Sequence, residues 1–418
     1  MRIYICIDLK TFYASVECVE RNLNPFETNL VVADPSRGPG SICLAISPKM
    51  KMLGVKNRCR VYEIPKNIEY ITAPPRMKKY IEYSTNIYGI YLKYFSKDDI
   101  HVYSIDEAFI DVTEYLKIYK KNALEIAKMV MKDILNTYGI TATCGIGTNL
   151  YLAKIALDIV SKHSPTNIGM LTEATYKEKL WHHKPLTDFW QIGRGIERRL
   201  NRMHLYDMYD IAHSDYKRLY KEFGVNAEFL IDHSLGKETC TIKDIKNYKP
   251  KSTSVSNSQV LFKDYSFDDA KIVMIEMVEA LSLQLIDENI LTSEIHLYVG
   301  YSKDAIPASG ASKRLPMPVN TYTELSKEYV SMYERIVNRY YPIRRIGLSL
   351  GRIEKVANEQ LNIFENQQKK ENERVLESTI NHLKEKMGKN SIIRAMDLEE
   401  NATAILRNKL IGGHNGGQ

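Results

Sequence analysis

Three acidic residues, which lie in two short stretches of the chain, have the type and position of metal ligands. Asp8 follows the apolar run 3–7, and Asp106 and Glu107 stand side by side in the stretch 102–112. An ionised carboxylate at the end of a buried strand needs a cation or water as its partner. If the strands are neighbours, the three carboxylates meet, and such oxygen ligands suit Mg²⁺ that also binds substrate phosphates. The pattern indicates phosphoryl transfer with two metal ions.

Each part of this pattern has a simpler interpretation when it is taken alone. Asp8 directly precedes a predicted helix, so it is also a good N-cap residue. Adjacent residues on a strand point to opposite faces, so Asp106 and Glu107 share a pocket only if a tight turn lies between Ile105 and Ala108. An ordinary hairpin tip would also explain two adjacent acids. The combination with Asp8 favours the metal site.

Composition sets broad limits on the class of protein. A chain of 418 residues should hold about two to four domains. The formal net charge of +7 is compatible with a polyanionic partner, although simple solubility would also explain it. The six cysteines form no CxxC pair, which argues against zinc and disulfide frameworks and predicts a cytoplasmic protein. We expect no signal peptide and no membrane-spanning segment.

The first part of the chain has the element order of a ferredoxin-like unit. The predicted order is a strand, a helix, a strand pair around Asp106 and Glu107, an amphipathic helix and a further strand. This order is a split βαβ pattern. The predicted elements are a strand at 3–7, helices at 11–22 and 77–95, a helix that ends at Gly139, and a strand at 143–147. The segment 11–76 is then an insertion.

The second part of the chain predicts a helical region followed by a separate α+β unit. Residues 169–235 are expected to be all-helical, and the polar, lysine-rich segment 236–250 is expected to be a linker. Strands at 252–261, 295–299 and 343–350, with helices near 272–285 and 325–338, indicate a second βαββαβ-like unit. The polar segment after Arg352 is expected to be a mobile tail with a helical patch at 374–387.

Taken together, three motifs resemble those of the Y-family translesion DNA polymerases. They are the runs 8–17 and 104–109, and the run 145–149 followed by 152–156. The likeness extends from residue 1 to about 352, and the branch it resembles contains the polymerase V catalytic subunit and UvrX-like proteins. It implies an α+β right-hand polymerase. Its expected parts are a ferredoxin-like palm (1–10 and 77–168), small fingers (11–76), a helix-hairpin-helix thumb (169–235), a linker (236–250), a little finger (251–352) and a C-terminal tail (353–418).

The resemblance also implies roles for individual residues. Asp8, Asp106 and Glu107 would be catalytic and would bind two Mg²⁺ ions together with the Leu9 carbonyl, and Tyr13 would be the steric gate that excludes ribonucleotides. The nucleotide-binding residues would be Phe12, Tyr13, Ser47, Lys51 and Lys162. A packed helix aromatic is the simpler interpretation of Tyr13 and Phe12, and a solvated surface lysine that of Lys51. Two positions depart from the family pattern: Lys10 replaces an acid of many relatives, and Pro48 replaces a Tyr.

Two surfaces are candidates for binding DNA. The Gly-Arg-Gly sequence at Gly193, Arg194 and Gly195 indicates a helix-hairpin-helix, whose glycines expose backbone amides to a phosphate. A plain helical turn is the alternative. In the second α+β unit, a polar sheet face could follow the DNA backbone, or it could simply be solvated. The candidate residues there are Ser254, Ser256, Lys313, Arg314, Arg344 and Arg345.

The tail contains a short apolar segment in polar surroundings. This segment, Gln360, Leu361, Asn362, Ile363 and Phe364, resembles the motif that docks on the bacterial sliding clamp. Leu361 and Phe364 would fill an apolar pocket of the clamp, and Gln360 would fix the register. A stray tail contact is the alternative, because short motifs also occur by chance.

The function predicted from the sequence is template-directed, error-prone translesion DNA synthesis without proofreading. The expected partners are primer-template DNA, deoxynucleoside triphosphates and the sliding clamp, and the need for an accessory subunit stays open. Three other functions compete with this one. A nucleotidyl cyclase would use a similar palm, a DNA- or clamp-binding protein would need no acidic trio, and a single-nucleotide inserter would act opposite one templating base.

Overall fold

The computed structural model describes residues 2–250, 254–356 and 367–417. The chain divides into two compact units, residues 1–248 and 249–416, and each unit combines helices with a β-sheet. The predicted α+β class is therefore confirmed. Within the described residues, we find no helix with the length and apolarity needed to cross a membrane.

The first unit is built on a five-stranded sheet with the order β5-β6-β1-β7-β8. Strand β1 lies between β6 and β7 and is antiparallel to both, which is the predicted split βαβ arrangement. A second, small sheet with the order β3-β2-β4 belongs to the inserted segment. The strands are β1 (Tyr4–Leu9), β2 (Leu30–Val32), β3 (Ala45–Ile46), β4 (Ile71–Ala73), β5 (Ile100–Val102), β6 (Glu107–Asp111), β7 (Ala142–Gly147) and β8 (Ile168–Leu171).

Helices pack against the central sheet, and further helices follow it in the chain. Helices α5 and α6 both contact β7, and α6 continues directly into a π-helical turn, Ala156–Val160. The helices of this unit are α1 (Phe12–Val19), α2 (Pro48–Met52), α3 (Met77–Tyr94), α4 (Tyr115–Ile118), α5 (Ala123–Tyr138), α6 (Leu150–Ile155), α7 (Glu173–Leu180), α8 (Arg194–Arg202), α9 (Met208–Ala212), α10 (Tyr216–Phe223), α11 (Ala227–Ser234) and α12 (Ile242–Asn247).

Two predictions about the end of this unit are wrong. The segment 169–235 is not all-helical, because Gly169, Met170 and Leu171 belong to β8, which pairs in parallel with β7. The segment 236–250 is not a plain linker, because it contains α12. Ile242 of α12 is 3% exposed and packs in the core cluster that includes Tyr4 and Phe109. That contact anchors α12 to the central sheet.

The second unit contains a four-stranded antiparallel sheet with the order β11-β10-β12-β9. Helices α13 and α14 cover one face, where alternate strand residues such as Ile295, Leu297 and Leu348 form the core with them. The βαββαβ order predicted for this unit is present. Its elements are β9 (Val255–Tyr265), α13 (Phe267–Asp287), β10 (Ile290–Tyr301), β11 (Ser309–Val319), α14 (Tyr322–Ile336) and β12 (Ile343–Lys355).

The segment after β12 is not a mobile tail throughout. Its elements are α15 (Gln367–Met387), α16 (Ala404–Arg407), β13 (Leu410–Ile411) and β14 (His414–Asn415). Helix α15 packs on α13, and buried carboxylates hold the segment in place. Glu377 accepts a 2.7 Å hydrogen bond from Ser282, and Glu276 accepts hydrogen bonds from the Thr403 and Ala404 backbone amides. Polar contacts therefore fix residues of the described range 367–417, although the composition of the tail predicted disorder.

Candidate active site

The three predicted acids come together at one end of the central sheet. Asp8 on β1 lies directly opposite Glu107 on β6, so their side chains leave the same face of the sheet. The Leu9 backbone N–H donates to the Asp106 carbonyl oxygen over 2.9 Å, which fixes Asp106 beside β1. A turn lies immediately before Glu107, because the Tyr103 and Ser104 amides both donate to the Glu107 carbonyl oxygen. Because of this turn, the side chains of the adjacent residues Asp106 and Glu107 can reach the same pocket.

Glu107 is held by two neighbours beneath the sheet end. Its Oε1 is 2.7 Å from the Nζ of Lys154, and it accepts a 3.2 Å hydrogen bond from the Cys6 thiol. Lys154 also pairs with Asp158 at 3.1 Å. Burial lowers the pKa of Lys154, but Asp158 and Glu107 raise it more, so the net direction is upward. Lys154 is therefore a permanent cation beside a predicted metal ligand.

Two glycines allow Lys154 to reach that position. A Cβ atom built on Gly145 would lie 2.0 Å from the Ala153 carbonyl oxygen, and one on Gly147 would lie 2.1 Å from the Ala153 nitrogen. Helix α6 therefore lies directly on β7, backbone against backbone. The Gly-x-Gly motif thus has a packing role here, which is to bring α6 and its lysine to the acidic end of the sheet.

The electrostatics of Asp8 reflect the approach of the other two acids. Burial, followed by the negative charges of Asp106 and Glu107, raises the pKa of Asp8 to about 7. Asp106 is further oriented by the Ser104 hydroxyl, which donates to its Oδ1 over 2.6 Å. Like charges held this close repel one another unless a cation neutralises them.

The donors at this position fit a hard divalent cation. Asp8, Asp106, Glu107 and the Leu9 carbonyl supply only oxygen atoms, which are the ligands that Mg²⁺ prefers. As placed, with Glu107 turned to Lys154, no three acidic, histidine or cysteine side chains among the described residues form a complete cation cluster. A Mg²⁺ ion held by these oxygen atoms would complete its coordination with water and substrate phosphates.

Basic side chains gather around the acidic site. Partial loss of hydration lowers the pKa of Lys51, Asp8 raises it, and the positive charges of Lys10 and Lys162 lower it, so Asp8, Lys10 and Lys162 all lie within electrostatic reach of Lys51. Lys10 donates a 3.2 Å hydrogen bond to the Asn167 side chain. Lys51 and Lys162 are exposed. The group has the charge required to bind an anion such as a triphosphate.

Tyr13 lies next to the acids, whereas two other predicted nucleotide ligands do not have free side chains. Tyr13 is half-buried, and burial and the charge of Asp106 raise its pKa. Phe12 is only 3% exposed and belongs to the core. Ser47 is fully buried and caps α2 by accepting from the Met50 amide, while its hydroxyl donates to the Thr28 carbonyl oxygen. The side chains of Phe12 and Ser47 are therefore used for packing and helix capping, and the nucleotide-binding roles of these two residues stay predictions.

The Gly-Arg-Gly segment forms the start of a helix. Gly193 is the N-cap of α8, and Arg194 and Gly195 are its first two residues. Both glycines face open space, since a Cβ atom on either would meet no atom within 4 Å. The preceding helix is only a three-residue 3₁₀ turn, Leu186–Asp188. The backbone amides at this helix start are accessible to an anion.

The second unit presents an open sheet face opposite its helices. Two rows of paired residues cross all four strands on this face, and they line a shallow cleft of about 680 Å³. The first row is Ser312, His296, Ser349 and Ser256, and the second is Gly310, Tyr298, Gly347 and Ser258. Small and hydroxyl side chains predominate, so a large ligand can approach the sheet closely. Ser256 lies in this face, and exposed Ser254 precedes its strand.

The basic residues predicted to bind DNA are divided between the two faces of this sheet. Arg314 is exposed, and its register opposite Glu294 places it on the open face with Arg345, whose Cβ lies beside Gly300. Lys313 points to the other face, where its ammonium pairs with Glu328 of α14. The prediction that Lys313 contributes to the open face is therefore wrong. Arg344 pairs with Asp264 at 3.6 Å.

Three residues of the site were missed by the sequence analysis as functional residues. Lys154 was noted only as part of a motif, Lys10 only as a departure from the family pattern, and Arg58 not at all. Arg58 lies close enough to Tyr13 for its charge to lower the Tyr13 pKa. Only the third motif gave a signal, because its run 152–156 contains Lys154. The clamp-type segment 360–364 lies outside the described residues.

Comparison with known proteins identifies related sequences and folds. Residues 7–158 match the impB/mucB/samB family, and residues 252–363 match the impB/mucB/samB family C-terminal domain. The chain is 31% identical to the "Putative UV-damage repair protein UvrX" of Bacillus subtilis, over 98% of this chain and 97% of that protein. It is 29% identical to "DNA polymerase IV 2" of the same organism, over 99% and 98% of the two chains.

Solved structures show a similar fold. A "Y-family DNA polymerase chimera Dbh-Dpo4(243-245)-Dbh" superposes with a TM-score of 0.66 over 84% of this chain and 99% of that chain, at 23% identity. The "Insertion ternary complex of Dbh DNA polymerase" gives a TM-score of 0.51 over the same shares of the two chains, also at 23% identity. These likenesses support the mixed α+β polymerase architecture expected from the sequence.

Proposed function

Because the chain belongs to the impB/mucB/samB family of Y-family DNA polymerases, we propose that it carries out error-prone translesion DNA synthesis by two-metal-ion nucleotidyl transfer. The observation that carries this proposal is the register of the central sheet. Asp8 lies directly opposite Glu107, and Asp106 is bonded to the Leu9 amide. In this proposal, residues 1–10 and 77–168 are the palm, 11–76 the fingers, 169–235 the thumb and 251–352 the little finger.

The acidic site would hold two Mg²⁺ ions at the Asp8, Asp106 and Glu107 carboxylates and the Leu9 carbonyl. Ions bound by these residues would supply Lewis-acid activation of the primer 3′-hydroxyl and would neutralise the triphosphate. Lys154 holds Glu107 at the sheet end through its 2.7 Å contact, and its positive charge balances part of the negative charge of the acids. The raised pKa of Asp8 indicates that this end of the sheet favours added positive charge.

The basic group and Tyr13 would bind and select the incoming nucleotide. Lys51 and Lys162 would contact the phosphates, and Lys10, which lies within electrostatic reach of Lys51, would add a third cation. The Tyr13 ring would press on the sugar C2′ and exclude a ribonucleotide by steric clash. The contacts that hold the incoming nucleotide would then lie around its triphosphate and sugar, and the base pair would be held only loosely.

DNA would be bound without reading its sequence. The exposed start of α8 at Gly193 and Gly195 offers backbone amides to a phosphate, and the open sheet face offers hydroxyls together with Arg314 and Arg345. Neither arginine forms an ion pair with a residue in the described ranges 2–250, 254–356 and 367–417. Contacts of this type depend on salt and tolerate damaged templates.

The test of the proposed function is primer extension by the purified chain. With Mg²⁺ and each deoxynucleotide separately, we expect templated insertion opposite all four bases and insertion opposite an abasic site. Asp106→Ala should abolish extension and leave DNA binding nearly unchanged. Cyclisation of a triphosphate, insertion opposite a single base only, or DNA binding without any synthesis would each contradict the proposal and support one of the competing functions.

We also propose that the segment 360–364 docks on the bacterial sliding clamp. Its support is the apolar pair Leu361 and Phe364 in polar sequence, which is suited to an apolar pocket. Replacing both residues by Ala should reduce recovery of the chain by immobilised clamp and leave clamp-free primer extension unchanged. Equal clamp recovery by the variant and the unchanged chain would contradict this assignment.

A further inference from the structure

The Tyr13 ring rests on a second aromatic ring that has no role in the reaction proposed above. Tyr80 lies in the first turn of α3 and is fully buried. The two ring centroids are 4.4 Å apart and the ring planes differ by 14°, so the rings are stacked. Two rings in such contact restrict each other's movement, because neither can turn without losing the stacking or displacing its partner.

Tyr80 is itself fixed by a buried carboxylate. Its hydroxyl donates to Oε1 of Glu17 over 2.8 Å, and the Glu17 side chain is fully buried. Arg76 donates two hydrogen bonds of 2.9 Å to the two Glu17 oxygens, and Arg21 pairs with Oε2. Burial alone would raise the pKa of Glu17, but the bonds from Arg76, Arg21 and Tyr80 lower it, so the acceptor is charged. Charge-assisted bonds of this kind define one geometry.

A ring that excludes a sugar hydroxyl by clash must not move aside. If Tyr13 moved back from the nucleotide, the Tyr80 ring would have to move with it. That movement would break the bond to Glu17 and leave a buried hydroxyl without a partner, which is unfavourable. The rigidity of the gate therefore depends on what lies behind it, which is the stacked Tyr80 ring bonded to Glu17, with Glu17 itself held by Arg76 and Arg21.

We propose that Tyr80, held by Glu17, is a positioning residue that backs Tyr13 and sets how strictly ribonucleotides are excluded. The inference rests on the proposed function, because it requires Tyr13 to face the nucleotide sugar. It adds a specificity determinant on α3, outside the motif that contains Tyr13.

The test compares incorporation of a deoxynucleotide and the matching ribonucleotide by Tyr80→Leu and Tyr80→Phe. Tyr80→Leu removes the ring, and we expect the ratio of the two kcat/KM values to fall about tenfold while deoxynucleotide kcat changes less than about threefold. Tyr80→Phe keeps the ring and loses the tether to Glu17, so we expect a fall of about two- to fivefold. A loss of general stability would lower both rates and leave their ratio unchanged.

Tyr83 supplies a matched control on the same helix. Its hydroxyl donates to Glu20 of the segment after α1 over 2.7 Å, but its ring packs on Tyr138 and not on Tyr13. Tyr83→Leu should leave the sugar ratio unchanged. An equal fall in Tyr83→Leu and Tyr80→Leu would overturn the inference, because it would show a general effect of loosening α3.

Tyr13→Ala separates failure of the inference from failure of the gate itself. If Tyr13→Ala lowers the ratio and neither folded Tyr80 variant does, the positioning role is wrong and the gate stands. If Tyr13→Ala leaves the ratio unchanged, the gate and the inference both fail. Should Tyr80→Leu not fold, Tyr80→Phe decides alone: a ratio equal to that of the unchanged chain overturns the positioning role.

Discussion

The two large sheets share an order of elements but differ in which strands lie at the centre. With the inserted segment set aside, both follow a βαββαβ order. In the first unit, β1 and β6 are central, and Asp8 near the C-terminal end of β1 lies opposite Glu107 at the start of β6. In the second unit, β10 and β12 are central and β9 lies at the edge.

This difference has a consequence for what each sheet can do. Helices pack on both faces of the first sheet at β7, so its polar groups are confined to a strand end, where a few acids meet. The second sheet keeps one face open and lines it with serines and glycines. A strand end can position reacting groups, whereas an open face can only bind a large partner. In the proposed function, the chemistry therefore belongs to the first unit, and the open face of the second unit adds contacts with DNA.

The strongest test of this difference between the two units is to substitute the residues at the two ends of one strand. Glu107 begins β6 and Asp111 ends it, where Asp111 accepts a 2.8 Å bond from Arg2. Glu107→Ala should lower kcat/KM for single-nucleotide insertion on the order of 10³-fold or more, because it removes a proposed metal ligand. Asp111→Asn should change this value less than about threefold. Similar losses in the two variants would show that Glu107 acts only in folding.

The next largest effect is expected at Lys154, behind the acids. Lys154→Met should lower kcat about 10- to 100-fold and weaken the Mg²⁺ dependence, as loss of a residue that orients a metal ligand usually does. Lys93→Met is the control, since Lys93 pairs with Asp133 on the surface at 2.8 Å. A Lys154→Met protein with an unchanged Mg²⁺ titration would exclude the positioning role.

Asp8 gives a pH-dependent effect on stability in the absence of divalent cations. Burial and the neighbouring acids raise its folded-state pKa to about 7, against roughly 3.9 in an unfolded chain. The folded state then binds the extra proton between these values, so stability falls as pH rises from about 4 to 7 and is flat above. Asp8→Asn should remove this loss and unfold with a free energy higher by about 2 kcal/mol at pH 8.

Denaturant unfolding at pH 4 and pH 8 checks this prediction. The gain of Asp8→Asn should be small at pH 4, and added Mg²⁺ should stabilise the unchanged chain more than the variant. A gain that is the same at both pH values would contradict the electrostatic explanation.

The smallest effect is expected on the open face of the second sheet. Arg314→Gln should weaken DNA binding about three- to tenfold and lower the slope of log affinity against log salt by about 1. Lys313→Gln changes the neighbouring residue on the opposite face, which pairs with Glu328, so it should leave both quantities nearly unchanged. Fluorescence anisotropy at several salt concentrations measures them. Equal slopes in the two variants would refute the assignment of faces.

The parts of the fold that the sequence predicted are those with a strong local pattern. Apolar runs and helical periodicity were sufficient for β1, α5, β7 and α13, because burial of one face dictates them. Strand β8 was missed because it has four residues, one of them glycine. Helix α12 was missed because it offers only two apolar residues, although Thr241 and Asp244 form a capping box that signalled its start.

The candidate site was predictable only where a motif carried it. Asp8, Asp106 and Glu107 were found, because acids at strand ends are unusual enough to be noticed. The burial of Ser47 and the direction of Lys313 depend on packing between distant segments, which no local pattern specifies. The proximity of Asp8 to lysines and the stacking of Tyr80 on Tyr13 also depend on packing between distant segments. Long-range register therefore decides which side chains are free to act.

The contact between α6 and β7 makes the enzyme vulnerable at a position that carries no reactive group. On Gly147 even one methyl group would collide with backbone atoms, which cannot rotate away as a flexible side chain can. Helix α6 would have to lift, and its lysine would leave the acid that it supports. A Gly147→Ala chain should thus still associate with DNA through its second unit. It should add no nucleotide, and it would then obstruct a primer end.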